Sequence, residues 1–572
     1  MSVAMIRTAS QICNSLEDIL AKTYGPVGMD VLIDVMSTNV VATNHGSTII
    51  NSLQISHPVG QLITNSVKKF YDKTGDGSTS FVLIMASMMR QILRHAESED
   101  TNNKWRSDHK ETIIKLSRAF RKVNIDLDQY FTPILHKMAT CLTDFNKNSV
   151  IVSLNGIITT AMNGKFGSLA VEKLTKITVE LILRHACNLS TCEALNKTIN
   201  KLVDEFYLIV TEIPQIPLSE SCILNGILLR YNSKGVNDKL IAALSNQKYP
   251  SLIRKFTFKL DQSIRQGEHT SLSFSRSSQV DGAVEYQQSR IRRFLSKLQD
   301  ENVKLIISTE SVTDVAVYLC NRAGIIILAN VAEEEANRIG YYCNLGIIYE
   351  VDMEETLISK FTGITSCQFI TKSTQRYIQF IPQLAESNRM YHLLLCGLAK
   401  ELCHQYRAAI HNSLKCVLMW LDPPYCLRTY QPCTVPGGGA TEFALARALK
   451  VLPSNDSYDP VYRSACQILS ESLLAIPRTL YNNSTNSTAG GFIRILKEID
   501  SESSALGSRN WKGINPYTGH LVSSHNVIEP MYIRYYSVRQ CLQVITQILK
   551  IDKVISAIGC GNRRNKADEQ DN

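Results

Sequence analysis

Gly75-Asp76-Gly77-Ser78-Thr79-Ser80 runs straight into an apolar segment that begins at Phe81. Glycines let the backbone turn and present several N–H groups together, and a helix starting here adds roughly half a positive charge at its first turn. The three hydroxyls supply further donors, so the run suits a phosphate group. Asp76 would repel bare phosphate, yet it becomes useful where a Mg²⁺ bridges the two, which makes it the candidate metal ligand. An ordinary capped turn, with Ser78 or Thr79 as N-cap, accounts for the same residues without any ligand. Gly437-Gly438-Gly439 ahead of Ala440 is a second candidate cradle, for phosphate or ribose, and the plain-turn reading weighs more heavily there. Neither run has the GxxxxGKS/T or GxGxxG spacing, which excludes a P-loop NTPase and the dinucleotide fingerprint. His392, His404 and His411 sit in no HExxH or triad-like context, and no GxSxG elbow occurs. Each reads as an interior or surface histidine rather than a ligand.

These residues need elements to hold them. Ile12, Leu16, Ile19 and Leu20 form a stripe at helical spacing that stops at Gly25-Pro26, where proline removes the amide a helix would need. Two extended pieces, 31–36 and 40–42, precede Asn44-His45-Gly46, a turn signal. Pro58 suits the first turn of the next helix, with Val59, Leu62, Ile63, Val67 and Phe70 on one face. Residues 81–93 are so apolar all round that they predict a central core helix. The middle differs. Residues 302–308 and 324–329 are short apolar strands, separated by a helix through 314–320 and followed by another from Glu333, which argues for an α/β domain. The polar stretch 258–288 predicts an exposed protrusion or long loop. Helical character returns from His411, with helices from Ala440, over 464–474 and over 538–551. Residues 482–489 predict a flexible loop and 563–572 a disordered tail. Two helical ends flanking an α/β middle predict a discontinuous domain, in which the chain leaves a base, builds an insert and returns.

With 572 residues, 44% hydrophobic and 20% charged, the chain predicts three or four compact units and excludes wholesale disorder or a disulfide-stapled miniature. The net charge of +9 is mild. The densest basic patches, 290–297 and 118–122, carry apolar residues at helical spacing and read as helices with solvated basic faces, so no nucleic-acid partner is expected. No apolar run reaches the roughly 18 residues of a membrane span, and the first 20 residues lack a secretory pattern, so an intracellular protein without membrane insertion is expected. The 16 cysteines include no CxxC pair, and reduced, buried thiols are expected.

Taken in order, several pieces resemble the group II chaperonins. Residues 24–30 (YGPVGMD), 43–49 (TNHGSTI), His57-Pro58 and 75–80 (GDGSTS) stand where that family reads GPxGMD, TNDGATI, HP and GDGTTS. The likeness resumes with 435–442 (VPGGGATE), 475–480 (AIPRTL), Gly513-Ile514-Asn515, Gly519, Glu529-Pro530 and 548–555 (ILKIDKVI), so it covers nearly the whole chain. It implies an α+β multidomain, group II chaperonin-like fold. A helical equatorial domain would comprise 1–140 and 413–560, and a hinge-like intermediate domain 141–215 and 371–412. An α/β apical domain over 216–370 would carry a protrusion near 258–290, with 561–572 as a tail. It further implies ATP with Mg²⁺ at Asp76, held by Gly25, Pro26, Gly75, Gly77, Ser78, Thr79, Ser80, Gly437, Gly438, Gly439 and Glu529. The implied partners are other chaperonin subunits and unfolded or unassembled clients.

Departures from the family pattern bear on chemistry. His45 replaces the aspartate of the family's NDG, and Asn412 replaces the hinge-helix aspartate that serves as catalytic base. An amide cannot accept the attacking water's proton as a carboxylate can. Residues 482–487 replace the family's NAGLD. Lost catalysis on a kept scaffold resembles the chaperonin-like branch of the Bardet–Biedl syndrome proteins. That likeness implies a cytoplasmic assembly factor for a ciliary trafficking complex, working with other proteins of that branch and with the ciliary base or centrosome as a further location. The alternative is an ATP-hydrolysing subunit of a cytosolic chaperonin ring.

Overall fold

The computed structural model describes residues 3–35, 39–98, 109–142, 145–186, 191–204, 207–231, 248–254, 277–348, 363–372, 375–381, 390–422, 431–451, 459–502, 511–523 and 527–553. They form two compact units, one drawn from 1–175, 190–196 and 409–572, the other from 176–189 and 197–408. The predicted tail at 561–572 and residues 258–276 of the predicted protrusion lie outside the described residues.

The first unit is built around the Ser78–Ser98 helix. Phe81, Leu83, Met85, Ala86, Met88, Met89 and Ile92 are fully buried, so its first turns are covered on all faces, while Arg94 near its end is exposed. The covering helices come from both ends of the chain: Val3–Leu20 and His109–Met138 from the first, Pro460–Leu473 and Met531–Ile548 from the second. The loop ahead of it is held from its other side. Pro58–Thr74 starts with Pro58 in its first turn while His57 Nδ1 accepts from the Val59 N–H at 3.2 Å. It ends at Gly75, whose left-handed φ of 74° lets its own N–H reach the Tyr71 carbonyl at 2.7 Å.

Three expectations are corrected in this unit and the next. Cys141 and Cys433 are disulfide-bonded rather than reduced, because they stand directly opposite on antiparallel strands Thr140–Cys141 and Cys433–Pro436, with Cα atoms 4.1 Å apart. Residues 482–489 are anchored: Ser484 Oγ donates to Tyr481 O at 2.6 Å, and the Thr488 N–H donates to the Tyr481 hydroxyl at 3.0 Å. In the second unit, the described part of the polar stretch read as protrusion or loop is helical from Ser277, as part of Ser277–Asp300, which corrects the loop alternative alone. Its anchors, Ile291, Phe294, Leu295 and Leu298, all lie beyond that stretch, at its C-terminal end.

The second unit is a mixed sheet with helices on both faces. Lys248–Arg254, Leu305–Ser308 and Ile326–Leu328 run parallel, and the antiparallel strands Gly363–Lys372, Gln375–Ile381 and Ile227–Tyr231 extend the sheet from Lys248–Arg254 outward. Side chains alternate between faces. Leu305 and Ile307 join Ile326 and Leu328 in a core closed by Glu333–Cys343, whereas Ile306 and Ile327 face the helices Ser277–Asp300 and Asp314–Arg322. A smaller sheet orders Ile209–Pro214, Tyr391–Gly397 and Cys222–Asn225. Among the described residues no helix is long and apolar enough to cross a membrane.

His392 is buried between the two sheets of this unit. Its Nδ1 accepts the Leu228 N–H at 3.0 Å, which leaves Nε2 to carry the proton toward Thr211 Oγ1 at 2.7 Å. Burial, reinforced by Arg338, pushes its pKa down to about 3. The unfolded chain takes up that proton near pH 6.5 and the native chain only near 3. Stability present above pH 6.5 is therefore lost as pH falls toward 3, by about 1.4 kcal/mol per pH unit. Thermal unfolding from pH 7.5 to 4.5 should show this loss, and His392→Gln should reduce its slope without abolishing it, since His45 and His185, whose pKa values burial also lowers, contribute in the same direction. A second test is conformational. Gly226, at φ 93°, would drive an added Cβ into the Phe380 carbonyl. Gly226→Ala should destabilise by more than the roughly 1–3 kcal/mol of the strained φ alone. Gly282→Ala, in open helix, should instead stabilise by about 0.4–1 kcal/mol in chemical denaturation.

Candidate functional site

Six loops of the helical unit converge on the start of the Ser78–Ser98 helix and enclose a cleft of about 560 Å³. Their approach depends on glycine at defined points. A Cβ at Gly164 would lie 2.7 Å from the Gly25 carbonyl, and one at Gly46 would collide with the Thr79 hydroxyl. Gly439, at φ 83°, passes Pro477 with equally little room, 2.7 Å to an added Cβ. The Asn44 amide donates to the Gly164 carbonyl, and the Asn483 amide donates to the Ala21 and Tyr24 carbonyls at 2.8 Å each, so the 24–28 turn is held from two sides.

Gly25, Pro26, Asp76, Gly77, Ser78, Thr79, Ser80, Gly438, Gly439 and Glu529 line this cleft together. Gly75, Gly437 and Asn412 do not. Gly75 caps the preceding helix, and the Gly437 N–H donates to Val527 O at 2.8 Å behind Glu529. Asn412 is buried in the Lys400–Leu421 helix, whose backbone at Asn412 lies so close to Gly75 that a Cβ there would strike its carbonyl. Asn412 therefore stands behind the loop rather than in the cleft.

Two cations line the cleft that inspection of the sequence did not single out. Lys165 Nζ lies 3.3 Å from Asp76 Oδ1. Arg534 grips both carboxylate oxygens of Glu529, donates from Nη1 to Ser80 Oγ at 3.1 Å and stands 3.4 Å from Glu442. Burial opposes the Arg534 charge, but Glu529 and Glu442 more than offset it; burial pushes the Glu442 carboxyl up, with Arg534 opposing. The Tyr24 hydroxyl completes this layer, 2.8 Å from Ser80 Oγ. The available signals were slight: a glycine before Lys165, and an arginine one helical turn after Glu529-Pro530.

His45 also lines the cleft, yet its ring is committed elsewhere. Nε2 lies 2.9 Å from the Tyr71 hydroxyl, and Nδ1 lies 2.9 Å from Ser47 Oγ and 3.1 Å from Thr48 Oγ1. Burial, with the Lys165 charge adding to it, pushes its pKa down to about 3, so the ring is neutral at physiological pH. Exposed N–H groups, hydroxyls, two cations and a cavity of this volume fit a nucleotide. They fit a two-carboxylate divalent clamp poorly. Asp76 and Glu529 are the only carboxylates among the lining residues, and each is ion-paired. No cluster of three or more His, Cys, Asp or Glu suited to a metal occurs among the described residues.

The profile of the TCP-1/cpn60 chaperonin family matches residues 16–558. T-complex protein 1 subunit gamma of Bos taurus is 23% identical over 565 residues, covering 97% of this chain and 92% of that protein. The subunit of the same name from Caenorhabditis elegans is 23% identical over 549 residues, covering 95% and 91%. Thermosome subunit alpha of Methanothermobacter thermautotrophicus is 23% identical over 547 residues, covering 95% and 90%. A match that takes in both helical ends and the α/β insert leaves one assignment: the chain belongs to the TCP-1/cpn60 chaperonin family.

Proposed function

We propose that this chain is a chaperonin-like assembly factor that holds an adenine nucleotide in the cleft before the Ser78–Ser98 helix, turns it over slowly and acts through contacts with other proteins. The observation that carries this reading is a cradle of glycines, hydroxyls and cations, together with a buried amide, Asn412, behind its loop at the position to which the resemblance assigns the catalytic base. An amide oxygen orients a water but does not take its proton at neutral pH. In this reading residues 1–140 and 413–560 form the nucleotide-binding base, 141–215 and 371–412 a hinge, and 216–370 the part that meets clients. Relatives named as subunits support other chaperonin subunits as partners. Lys73-Thr74-Gly75-Asp76-Gly77 and residues 548–555 resemble the tenth member of the Bardet–Biedl syndrome group. Together with the two missing aspartates, they support a cytoplasmic role in building a ciliary trafficking complex beside other proteins of that branch, with the ciliary base or centrosome as a further location. The second reading, an ATP-hydrolysing ring subunit, draws on the retained Asp76 and the full-length likeness to T-complex protein 1 subunit gamma.

Thermal unfolding and steady-state phosphate release separate the two. At 100 times its Kd, ATP should add about 2.7 kcal/mol to the stability of the helical unit. Turnover should fall about 10²–10⁴-fold below that of a ring subunit with a carboxylate at the Asn412 position. Asn412→Asp combined with His45→Asp should raise turnover. Brisk hydrolysis by the unaltered chain, freed of contaminating chaperonin, would favour the second reading, and the composition of what co-purifies from cells tests the partners.

A further inference from the structure

We propose that this cleft binds its nucleotide without a divalent cation, the Lys165 ammonium standing where a metal would otherwise neutralise phosphate beside Asp76. The inference rests on the nucleotide-binding reading above and concerns how the same site handles charge.

Magnesium is usually held at such sites by one or two carboxylates together with substrate phosphates. Asp76 and Glu529 are the only carboxylates among the residues lining the cleft. Both oxygens of Glu529 are taken by Arg534, which also faces Glu442, and Asp76 Oδ1 carries Lys165 at 3.3 Å. His45 offers nothing in their place. An imidazole brings no negative charge, and both ring nitrogens lie within hydrogen-bond distance of hydroxyls from Ser47, Thr48 and Tyr71. Counting the ionic side chains of the lining, Asp76 and Glu529 against Lys165 and Arg534, the wall carries no net negative charge to repel an uncomplexed polyphosphate.

Lys165 is also placed to serve. Its backbone N–H donates to the Met162 carbonyl at 3.1 Å, and the preceding Gly164 takes a φ of 84° with its carbonyl held by the Asn44 amide. The turn therefore holds the lysine at the cleft wall instead of leaving it to solvent, and its side chain is only 17% exposed. An ammonium has three donors. One reaches Asp76, and two remain for phosphate oxygens. A lysine used in this way neutralises charge but has no open coordination position to lower the pKa of a bound water. Metal-free binding is thus consistent with slow turnover.

Titration of the full chain with ATP, read by displacement of a fluorescent ATP analogue, tests this in magnesium and again in EDTA with magnesium omitted. The affinity should be the same in both within about threefold. Lys165→Met should weaken binding in EDTA by about tenfold or more, and Lys165→Arg, which keeps the charge, should retain it. Asp76→Asn should tighten binding in EDTA, since it frees the Lys165 ammonium for phosphate, and weaker binding would count against the inference. His45→Asp should make binding depend on magnesium. Loss of wild-type binding in EDTA with tight binding in magnesium overturns the inference and leaves the nucleotide reading standing. No binding in either buffer overturns both. Equal loss in Lys165→Met and Lys165→Arg, with both melting as the wild type does, also overturns it, because charge would then not be what the lysine supplies.

Discussion

An α-helix with apolar side chains on every face can exist in water only if it is enclosed, and the enclosure of Ser78–Ser98 determines the rest of the helical unit. Several helices surround it, and they come from sequence segments on either side of the α/β insert, 3–138 and 460–548. The two ends of the chain are thereby required in one place. The same enclosure fixes the position of the helix N-terminus, since a helix buried on all sides over residues 80–89 cannot slide. The loop that opens it, with its N–H groups and the Ser78 and Ser80 hydroxyls, is presented at a defined depth by packing alone, before any ligand contributes.

Charge is then arranged around that fixed point in two layers. The deeper one joins Arg534, Glu529 and Glu442 with Ser80 and Tyr24. A buried guanidinium is tolerated because two carboxylates and a hydroxyl surround it, and removing the arginine would leave Glu529 and Glu442 without their counter-charge. The outer layer is the Lys165–Asp76 pair, which is partly solvated and can exchange partners at lower cost. Rigidity below and exchange above suit a site that binds an anion and lets it go.

The parts of this arrangement legible in the sequence are those written in local pattern. Uniform apolarity over 81–93 marked the core helix, the short runs 302–308 and 324–329 marked adjacent parallel strands, and glycine runs marked the loops that meet in the cleft. Lys165 and Arg534 were not legible, because their importance comes from which loops face them and not from their neighbours along the chain. The burial of Asn412 behind Gly75 and the Cys141–Cys433 bond, spanning 292 residues, depend on the same kind of long-range proximity. Helix 277–300 was legible only over 290–297, where its anchors begin at Ile291; its first half carries little apolar signal and was read as protrusion or loop.

The scaffold and the chemistry draw on separate sets of residues, which explains how one can persist while the other departs from the family pattern. Glycine contacts at positions 25, 46, 164 and 439 and the Arg534 layer hold the cleft open, and none of them requires an aspartate at 45 or 412. His45 is absorbed into a neutral network with Tyr71, Ser47 and Thr48, so the loss of a carboxylate there leaves no buried charge unpaired. Asn412 is uncharged and buried, where an unpaired aspartate would carry a desolvation penalty. Neither position therefore sets an unpaired carboxylate beside or behind the cleft.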